Sequence, residues 1–240
     1  MKSLAVAIGF LTRIPVNLNA GPDGVGRSVR WFPLVGAGLG AVSVAIQYAT
    51  RLGLPASVVA VLIVMAEAVL TGALHMDGLA DTVDGFGGGR TRDDVLRIMR
   101  DSAIGSYGAV ALILLIALQV TAIAALIGRR MAVPFLLLAP ALGRWSIVPL
   151  ARFLPYARPS ESVAGNVGTM ELLWASIVTT AIAVAAAGWR GLACGCAVAG
   201  ASAVFGWLCH RRIGGVTGDT LGAAVQISQG VVFLTSLLIK

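Results

Sequence analysis

The chain has 240 residues, a formal net charge of +7, 58% hydrophobic residues and a mean hydropathy of +0.89. An ordinary soluble domain contains about 45–50% apolar residues, so this composition excludes that class and places most of the chain in lipid. The basic residues are dispersed among the predicted loops without interleaved aromatic residues, which argues against a nucleic-acid partner.

The apolar segments predict a membrane protein that crosses the bilayer several times. Residues 4–18 come first and read as an amphipathic or re-entrant segment, because Arg13 and Pro15 interrupt the run and no small-residue cleavage site follows. Seven later segments have about the length needed to cross a bilayer as helices. They are residues 31–50, 54–75, 107–128, 131–150, 172–189, 191–209 and 221–239. We therefore predict an all-α fold, a bundle of about seven transmembrane helices forming a single integral membrane domain over residues 1–240.

The charged residues predict the orientation of this bundle. With seven spans, the N-terminal segment and the loops 76–106, 151–169 and 211–218 share one side, with twelve lysine and arginine residues against five on the other. The positive-inside rule places the richer side in the cytoplasm. Nearly all acidic residues fall in the same segments, so we expect a protein of the cell membrane whose active-site loops face the cytoplasm.

Three aspartates follow the second predicted span. Asp77, Asp81 and Asp84 are spaced by four and three residues, which places their carboxylates on one face of a helix. Three like charges raise one another's pKa unless a cation lies between them, and hard oxygen ligands favour Mg²⁺. The alternative is a solvated acidic helix end at the membrane boundary. His75 precedes the triplet but points to the other side of the helix, which favours a packing role.

A short helix is expected from residue 92 to about residue 102, capped by Thr91 with Asp94 three residues later. Arg97 and Arg100 on this helix have two readings. They form surface ion pairs worth about 0.3–0.5 kcal/mol each, or they clamp a pyrophosphate beside the acidic residues.

Four further charged residues are candidates, each with two readings. Asp219 opens the last span either as a first-turn acid or as part of a metal site facing the three aspartates. Glu67 and Arg144 lie inside predicted spans, where ionisable groups usually face the bundle interior. They pair with each other, or Arg144 faces a polar substrate cavity. Arg158 adds a basic group after the fourth long span, in an ordinary loop or in the site.

Six motifs in order along the chain resemble the cobalamin synthase family, the adenosylcobinamide-GDP ribazoletransferases. They are FLTRIPV (10–16), FPLVGAGLG (32–40), LHMDGLADTVDG (74–85), RIMRDSAIGSYG (97–108), PYARP (155–159) and GGVTGDTLGAA (214–224). Together they span nearly the whole chain and are highly specific, whereas any one glycine or aspartate among them is not.

The resemblance implies a Mg²⁺-dependent transfer at the membrane. A hydroxyl of α-ribazole, or of α-ribazole 5'-phosphate, attacks the phosphate bound to the cobinamide side chain of adenosylcobinamide-GDP, and GMP leaves. The implied metal ligands are Asp77, Asp81 and Asp84, and the implied catalytic residues are these three with Asp101. Arg97 and Arg100 are implied to hold phosphate, and Asp219 is a further acidic candidate. With Arg144 and Arg158, the charged candidates described above, these last three residues form the predicted substrate-binding set. Besides the lipid bilayer, a homo-oligomer or an association with other corrinoid-assembly enzymes is compatible with this role.

The chain departs from the family pattern at two positions. Gln226 and Gln229 stand where family members commonly carry glutamates, and a glutamine cannot act as a base or an anionic ligand. We therefore leave both out of the predicted metal site.

Two other functions compete with the ribazole transfer. A CDP-alcohol phosphotransferase also uses aspartates at a membrane face, but Asp77-Gly78 is not followed by the Ala-Arg pair of that pattern. A cation transporter should carry its acids at mid-membrane on broken helices, whereas nearly all acids here are predicted at the rim. Release of GMP in a purified system separates these functions from the ribazole transfer.

Overall fold

A computed structural model describes residues 2–16, 22–158 and 167–239. In these residues the chain forms eleven α-helices and no sheet. They are α1 (Lys2–Leu11), α2 (Pro22–Ser28), α3 (Phe32–Gln47), α4 (Ala56–Thr71), α5 (Leu74–Gly88), α6 (Arg92–Ile98), α7 (Ser106–Gly128), α8 (Ala132–Phe153), α9 (Thr169–Ala187), α10 (Trp189–Ile213) and α11 (Gly218–Leu238).

The predicted all-α membrane bundle is confirmed. Within the described ranges, six helices are long and apolar enough to cross a membrane, and there are seven if the bent pair of α4 and α5 counts as one span. The six are the helical stretch 24–52, which contains α3, and the helices α7, α8, α9, α10 and α11. Of the predicted N-terminal segment 4–18, residues 4–11 lie in the short apolar helix α1, while residues 17 and 18 lie outside the described residues.

Helices α8 and α11 form the centre of the bundle. In their most apolar windows 72% of α8 and 67% of α11 is buried, against 17% for α9 and 28% each for α7 and α10. The buried side chains of Phe135, Leu138 and Leu142 on α8 pack in one core cluster with Val232 and Phe233 on α11. Because lipid tails are as apolar as leucine, close packing rather than removal from water holds such helices together. The outer helices expose their apolar side chains to lipid.

The second predicted span, residues 54–75, is interrupted by a bend. Gly72 and Ala73 both have left-handed backbones, with φ of 64° and 58°, and the axes of α4 and α5 meet at 91°. Glycine adopts this conformation without strain, whereas an alanine there costs roughly 1–2 kcal/mol. After a right-angle turn α5 cannot continue the crossing of α4. It lies across the N-terminal ends of α7 and α11.

The short helix α6 begins as expected. Thr91 and Asp94 form a reciprocal capping box, and hydrogen bonds from the Thr91 side chain and backbone hold the pKa of Asp94 below its usual value. The helix ends at Ile98 rather than near residue 102. The expected cap is confirmed, and the expected length is too long by about one turn.

Candidate active site

The three aspartates of α5 lie on one helix, as their spacing predicts, but their surroundings differ. Asp77 is exposed, Asp81 is half-buried and Asp84 is buried. Between the first two lies Gly78, where an added Cβ atom would stand 2.7 Å from the main-chain oxygen of Asp219. Glycine therefore lets α5 and the start of α11 touch, and this contact brings Asp219 beside the α5 carboxylates.

The pKa of Asp81 is shifted by its burial and by the other carboxylates around it. Its pKa is raised from 3.8 to about 7, first by burial and then by the negative charges of Asp77, Asp219 and Asp84, while the guanidinium of Arg158 opposes the rise. A carboxyl surrounded by like charges keeps its proton to higher pH. Asp81 is therefore the centre of an acidic cluster, which we define as Asp77, Asp81 and Asp219.

The loop after α8 is joined to the loop before α11. Tyr156 and Val216 form an isolated parallel β-bridge. The N–H of Ala157 donates to the carbonyl of Val216 at 2.7 Å, and the N–H of Val216 donates to the carbonyl of Pro155 at 2.9 Å. Two motifs that are 59 positions apart in the sequence, counted from Pro155 to Gly214, thus form one wall of the site. The last residue of the first motif, Pro159, lies outside the described residues.

This pairing places Arg158 against the acidic cluster. Its Nη1 lies 3.9 Å from Oδ2 of Asp219, and its Nη2 donates to the carbonyl of Leu96 at 2.7 Å. The Arg158 side chain is only 10% exposed, so the loops fix its position. The structure therefore brings Arg158 and Asp219 together with two of the three predicted metal ligands.

The start of α11 faces the same place. Thr217 caps the helix by accepting from the N–H of Thr220 at 3.2 Å, while the Thr220 hydroxyl accepts from the N–H of Thr217 at 2.8 Å. A helix N-terminus carries partial positive charge and favours anions such as phosphates. The site therefore combines carboxylates, which attract cations, with an arginine and a helix end, which attract anions.

Asp84 has a different environment from the other two aspartates of α5. Its Oδ2 accepts from the N–H of Gly105 at 2.7 Å and its Oδ1 accepts from the N–H of Gly108 at 2.8 Å. Both oxygens thus cap the start of α7 and fix α5 across it. Sequence spacing did not indicate this role, because the capped helix begins more than twenty residues later.

The remaining candidates lie further out on the same end of the bundle. Asp101 is exposed and accepts from the N–H of Ala103 at 3.0 Å, and it is not among the charges that act on Asp81. Arg97 lies 3.8 Å from Asp94, and the two side chains are 74% and 43% exposed. Arg100, just after α6, is exposed. Their predicted roles stay predictions.

A second cluster of polar side chains lies inside the bundle. Arg144 is fully buried and donates from Nη1 to Oε1 of Glu67 at 2.6 Å, and Nε2 of Gln229 donates to the same oxygen at 2.7 Å. Nearby on the sequence, Gln226 accepts from Gln119 at 3.1 Å. Of the two readings of Arg144, the structure shows the ion pair with Glu67. Substrate binding by Arg144 stays a prediction.

Arg92 and Arg212, which the sequence did not single out, hold the site loops in place. Arg92 donates from Nε to the carbonyl of Ile213 at 3.0 Å and from Nη2 to that of Ala157 at 2.7 Å. Arg212 donates to the carbonyls of Phe86 and Gly89. These bonds tie α6, α5 and the end of α10 together. Nothing in their spacing along the chain indicates that role.

The acidic cluster is open rather than a closed metal cage. Among the residues that the structure describes, no group of three or more His, Cys, Asp or Glu side chains is arranged to hold a metal ion by itself. The negative charges of Asp77, Asp84 and Asp219 nevertheless all act on Asp81, so four carboxylates share one small region. Mg²⁺ is commonly held by one or two carboxylates, with waters and substrate phosphates filling the other positions, so the residues present fit this ion.

Comparison with known proteins decides the family. The model of a family described as cobalamin-5-phosphate synthase matches residues 3–238. The chain belongs to the cobalamin synthase family. Its relatives within that family include adenosylcobinamide-GDP ribazoletransferases of Ralstonia pickettii strain 12J and Pseudomonas aeruginosa strain PAO1. The first is 37% identical over 94% of this chain and 91% of the relative, and the second is 38% identical over 99% and 98%.

A third cobalamin synthase relative, from Shewanella sp. strain W3-18-1, carries the same description and is 36% identical over 98% of this chain and 93% of its own length. No solved structure matches the chain. The resemblance found in the motifs is thus confirmed over nearly the full length.

Proposed function

We propose that the chain is a membrane transferase that uses Mg²⁺ to join adenosylcobinamide-GDP and α-ribazole, or α-ribazole 5'-phosphate, with release of GMP. This reaction forms adenosylcobalamin or its 5'-phosphate in the last steps of cobalamin biosynthesis. The observation that carries the proposal is the convergence of the family's acidic motifs on Asp81, next to Arg158.

The reaction exchanges a phosphoanhydride bond for a phosphate ester bond. A ribose hydroxyl oxygen attacks the phosphorus bound to the cobinamide side chain. A new P–O bond forms, the bond from that phosphorus to the oxygen of GMP breaks, and GMP leaves with the electron pair. In such transfers catalysis rests largely on positioning and on stabilising charge on the phosphoryl oxygens. The site must therefore hold a diphosphate firmly and bring the hydroxyl in line with it.

Asp77, Asp81 and Asp219 would hold the Mg²⁺ ion. When bound, the ion supplies neutralisation of the negative charge on the diphosphate. The structure favours Asp219 over Asp84 as the third residue, because both oxygens of Asp84 accept backbone hydrogen bonds. Asp84 then fixes the orientation of α5 and so positions the other two aspartates.

Positive groups would hold the diphosphate of the substrate. Arg158 is fixed by its bond to Leu96, and the N-terminal amides of α11 lie beside Asp219. Arg97 and Arg100, which are exposed near the same end of the bundle, would add contacts to the phosphates. The proton of the attacking hydroxyl would pass to a carboxylate oxygen of the acidic cluster that is not bound to the cation.

We place this site on the cytoplasmic face of the cell membrane. The support is the uneven distribution of lysine and arginine residues, twelve on the site side and five on the other. Labelling of single cysteines by a membrane-impermeant reagent in intact cells tests it. A cysteine in place of exposed Asp93 should stay unlabelled until the cells are opened, and labelling in intact cells would place the site on the other side.

The proposed activity is tested by GMP release from purified protein given adenosylcobinamide-GDP, α-ribazole and Mg²⁺. We expect Asp81→Asn to abolish release while the protein still inserts into the membrane, because the substitution removes a charge needed in the transition state. Asp93→Asn is the matched control, since the Asp93 side chain is 92% exposed and lies outside the acidic cluster. Near-normal release by Asp81→Asn, or no release by the folded wild type, contradicts the proposal.

A further inference from the structure

A cleft opens toward lipid between α8 and the two outer helices α9 and α10. Its larger part has a volume of about 370 Å³ and lies between Pro149 and Phe153 of α8 and Ala203 and Trp207 of α10. A smaller part of about 190 Å³ continues it toward Gly191 and Thr180, near the turn between α9 and α10. The two parts share Trp145 and Ala199. We call the whole the α8/α10 cleft.

The dimensions and walls of the cleft suit a hydrocarbon chain. From Gly191 to Trp207 the helix rises about 24 Å, most of the roughly 30 Å thickness of a bilayer core. Several polar groups in the walls already form hydrogen bonds within the protein. The indole N–H of Trp145 donates to Ser176 at 3.1 Å, and the hydroxyl of Thr179 donates to the carbonyl of Ala175 at 2.7 Å. The interior therefore offers mainly apolar contact.

The end of the cleft on the site side is basic. Phe153 and Trp207, which line it there, are 71% and 59% exposed. The guanidinium of Arg152 lies 5.9 Å from the ring centre of Phe153, and that of Arg211 lies 5.4 Å from the ring centre of Trp207. Neither arginine forms an ion pair with a carboxylate in the described part of the chain. Aromatic and arginine side chains together mark the level of the lipid head groups.

We propose that the α8/α10 cleft is a binding site for an anionic glycerophospholipid. The acyl chains lie in the cleft, and the head-group phosphate lies between Arg152 and Arg211, whose guanidinium groups match phosphate geometry. This lipid occupies one defined site on the protein, unlike the bulk lipids that surround the bundle.

A second copy of the chain is the other occupant that the small residues of α10 would fit, because glycine and alanine allow close helix approach. Two copies inserted in the same orientation would bring their basic α10 ends together, with Arg211 and Arg212 on each. Like charges so placed repel each other, whereas an anionic head group neutralises them. The charge at the end of the cleft therefore favours the lipid.

The test is native mass spectrometry of the full chain purified in detergent and incubated with equal amounts of phosphatidylglycerol and phosphatidylcholine. We expect the wild type to retain phosphatidylglycerol preferentially. Each arginine near a lipid surface contributes about a fivefold preference, so Arg152→Gln with Arg211→Gln should lower the preference by about 25-fold. Arg190→Gln is the matched control, because Arg190 stacks on Trp189 at the opposite end of α10 with a similar distance of 5.7 Å.

A second pair of variants tests the cleft itself. Ala203→Phe fills its larger part, and we expect it to remove the retained lipid. Val204→Phe is the control, because Val204 is 68% exposed and does not line the cleft. The proposal is overturned if lipid retention is the same in all variants. It is also overturned if exposed Cys196, which lines the cleft, cross-links two copies in bilayers while the arginine variants leave lipid preference unchanged.

Discussion

The charge on Asp81 makes the metal-free protein less stable as the pH rises. Burial and the neighbouring carboxylates raise the pKa of this residue from 3.8 to about 7, so the folded state binds the proton more tightly than the unfolded state does. The associated stability is fully present below the unfolded value of 3.8 and is lost as the pH rises through about 7. We therefore expect the free energy of unfolding to fall between pH 5 and pH 8.

The magnitude follows from the same pKa. A difference of one pKa unit corresponds to 1.36 kcal/mol, and two units lie between pH 5 and the pKa of about 7, which sets an upper limit of about 3 kcal/mol. Asp81 is only half-buried, so solvent screening lowers this to about 1–2 kcal/mol. In a chain of this size that is a fall of roughly 2–8 °C in Tm.

The assay is thermal unfolding in detergent, followed by a thiol-reactive dye that reports the buried cysteines Cys194 and Cys209. Exposed Cys196 is replaced by serine to remove the background. We expect Mg²⁺ to restore Tm at pH 8 and to have little effect at pH 5, and Asp81→Asn to flatten both responses. An equal pH response in Asp81→Asn and its parent would refute this reasoning.

Three further predictions concern packing around the site. Gly78→Ala should abolish GMP release, because its Cβ would stand 2.7 Å from a main-chain oxygen of α11. Gly38→Ala is the control, since its Cβ meets nothing within 4 Å and activity should be kept. Equal activities of the two variants would contradict the close contact. Asp84→Ala should lower stability by about 2–4 kcal/mol, because two charge-assisted hydrogen bonds to α7 are lost, and an unchanged Tm would argue against the cap. Arg144→Met should cost about 3–5 kcal/mol by leaving Glu67, whose side chain is only 14% exposed, without its cation. A raised KM with unchanged Tm would instead support substrate binding by Arg144.

The sequence predicted the parts of the site that depend on local spacing. The i, i+4, i+7 pattern placed Asp77, Asp81 and Asp84 on α5, and the Thr91 cap placed the start of α6. Charge alone also indicated that Glu67 and Arg144 face the interior, with their pairing as one of two readings. These features follow from helix geometry and from the cost of charge in lipid, both of which can be read from a few neighbouring residues.

The sequence could not predict the features that depend on contacts between distant segments. The cap that Asp84 provides for α7 and the approach of Gly78 to α11 arise only after the chain has packed. The turn at Gly72 was missed for another reason, because the apolar run continues past it and the non-glycine Ala73 shares the left-handed conformation. Where α5 lies, and hence which carboxylates meet, follows from that turn.

The most direct test of the acidic cluster is binding of Mn²⁺, in place of Mg²⁺, measured by electron paramagnetic resonance on the purified protein with a GDP ester present. We predict one bound ion per chain in the wild type and in the control Asp93→Asn. Changing Asp77, Asp81 or Asp219 to asparagine should weaken the affinity at least tenfold, because each variant would lose an anionic oxygen ligand. Unchanged affinity in all three variants would show that these carboxylates do not share a cation.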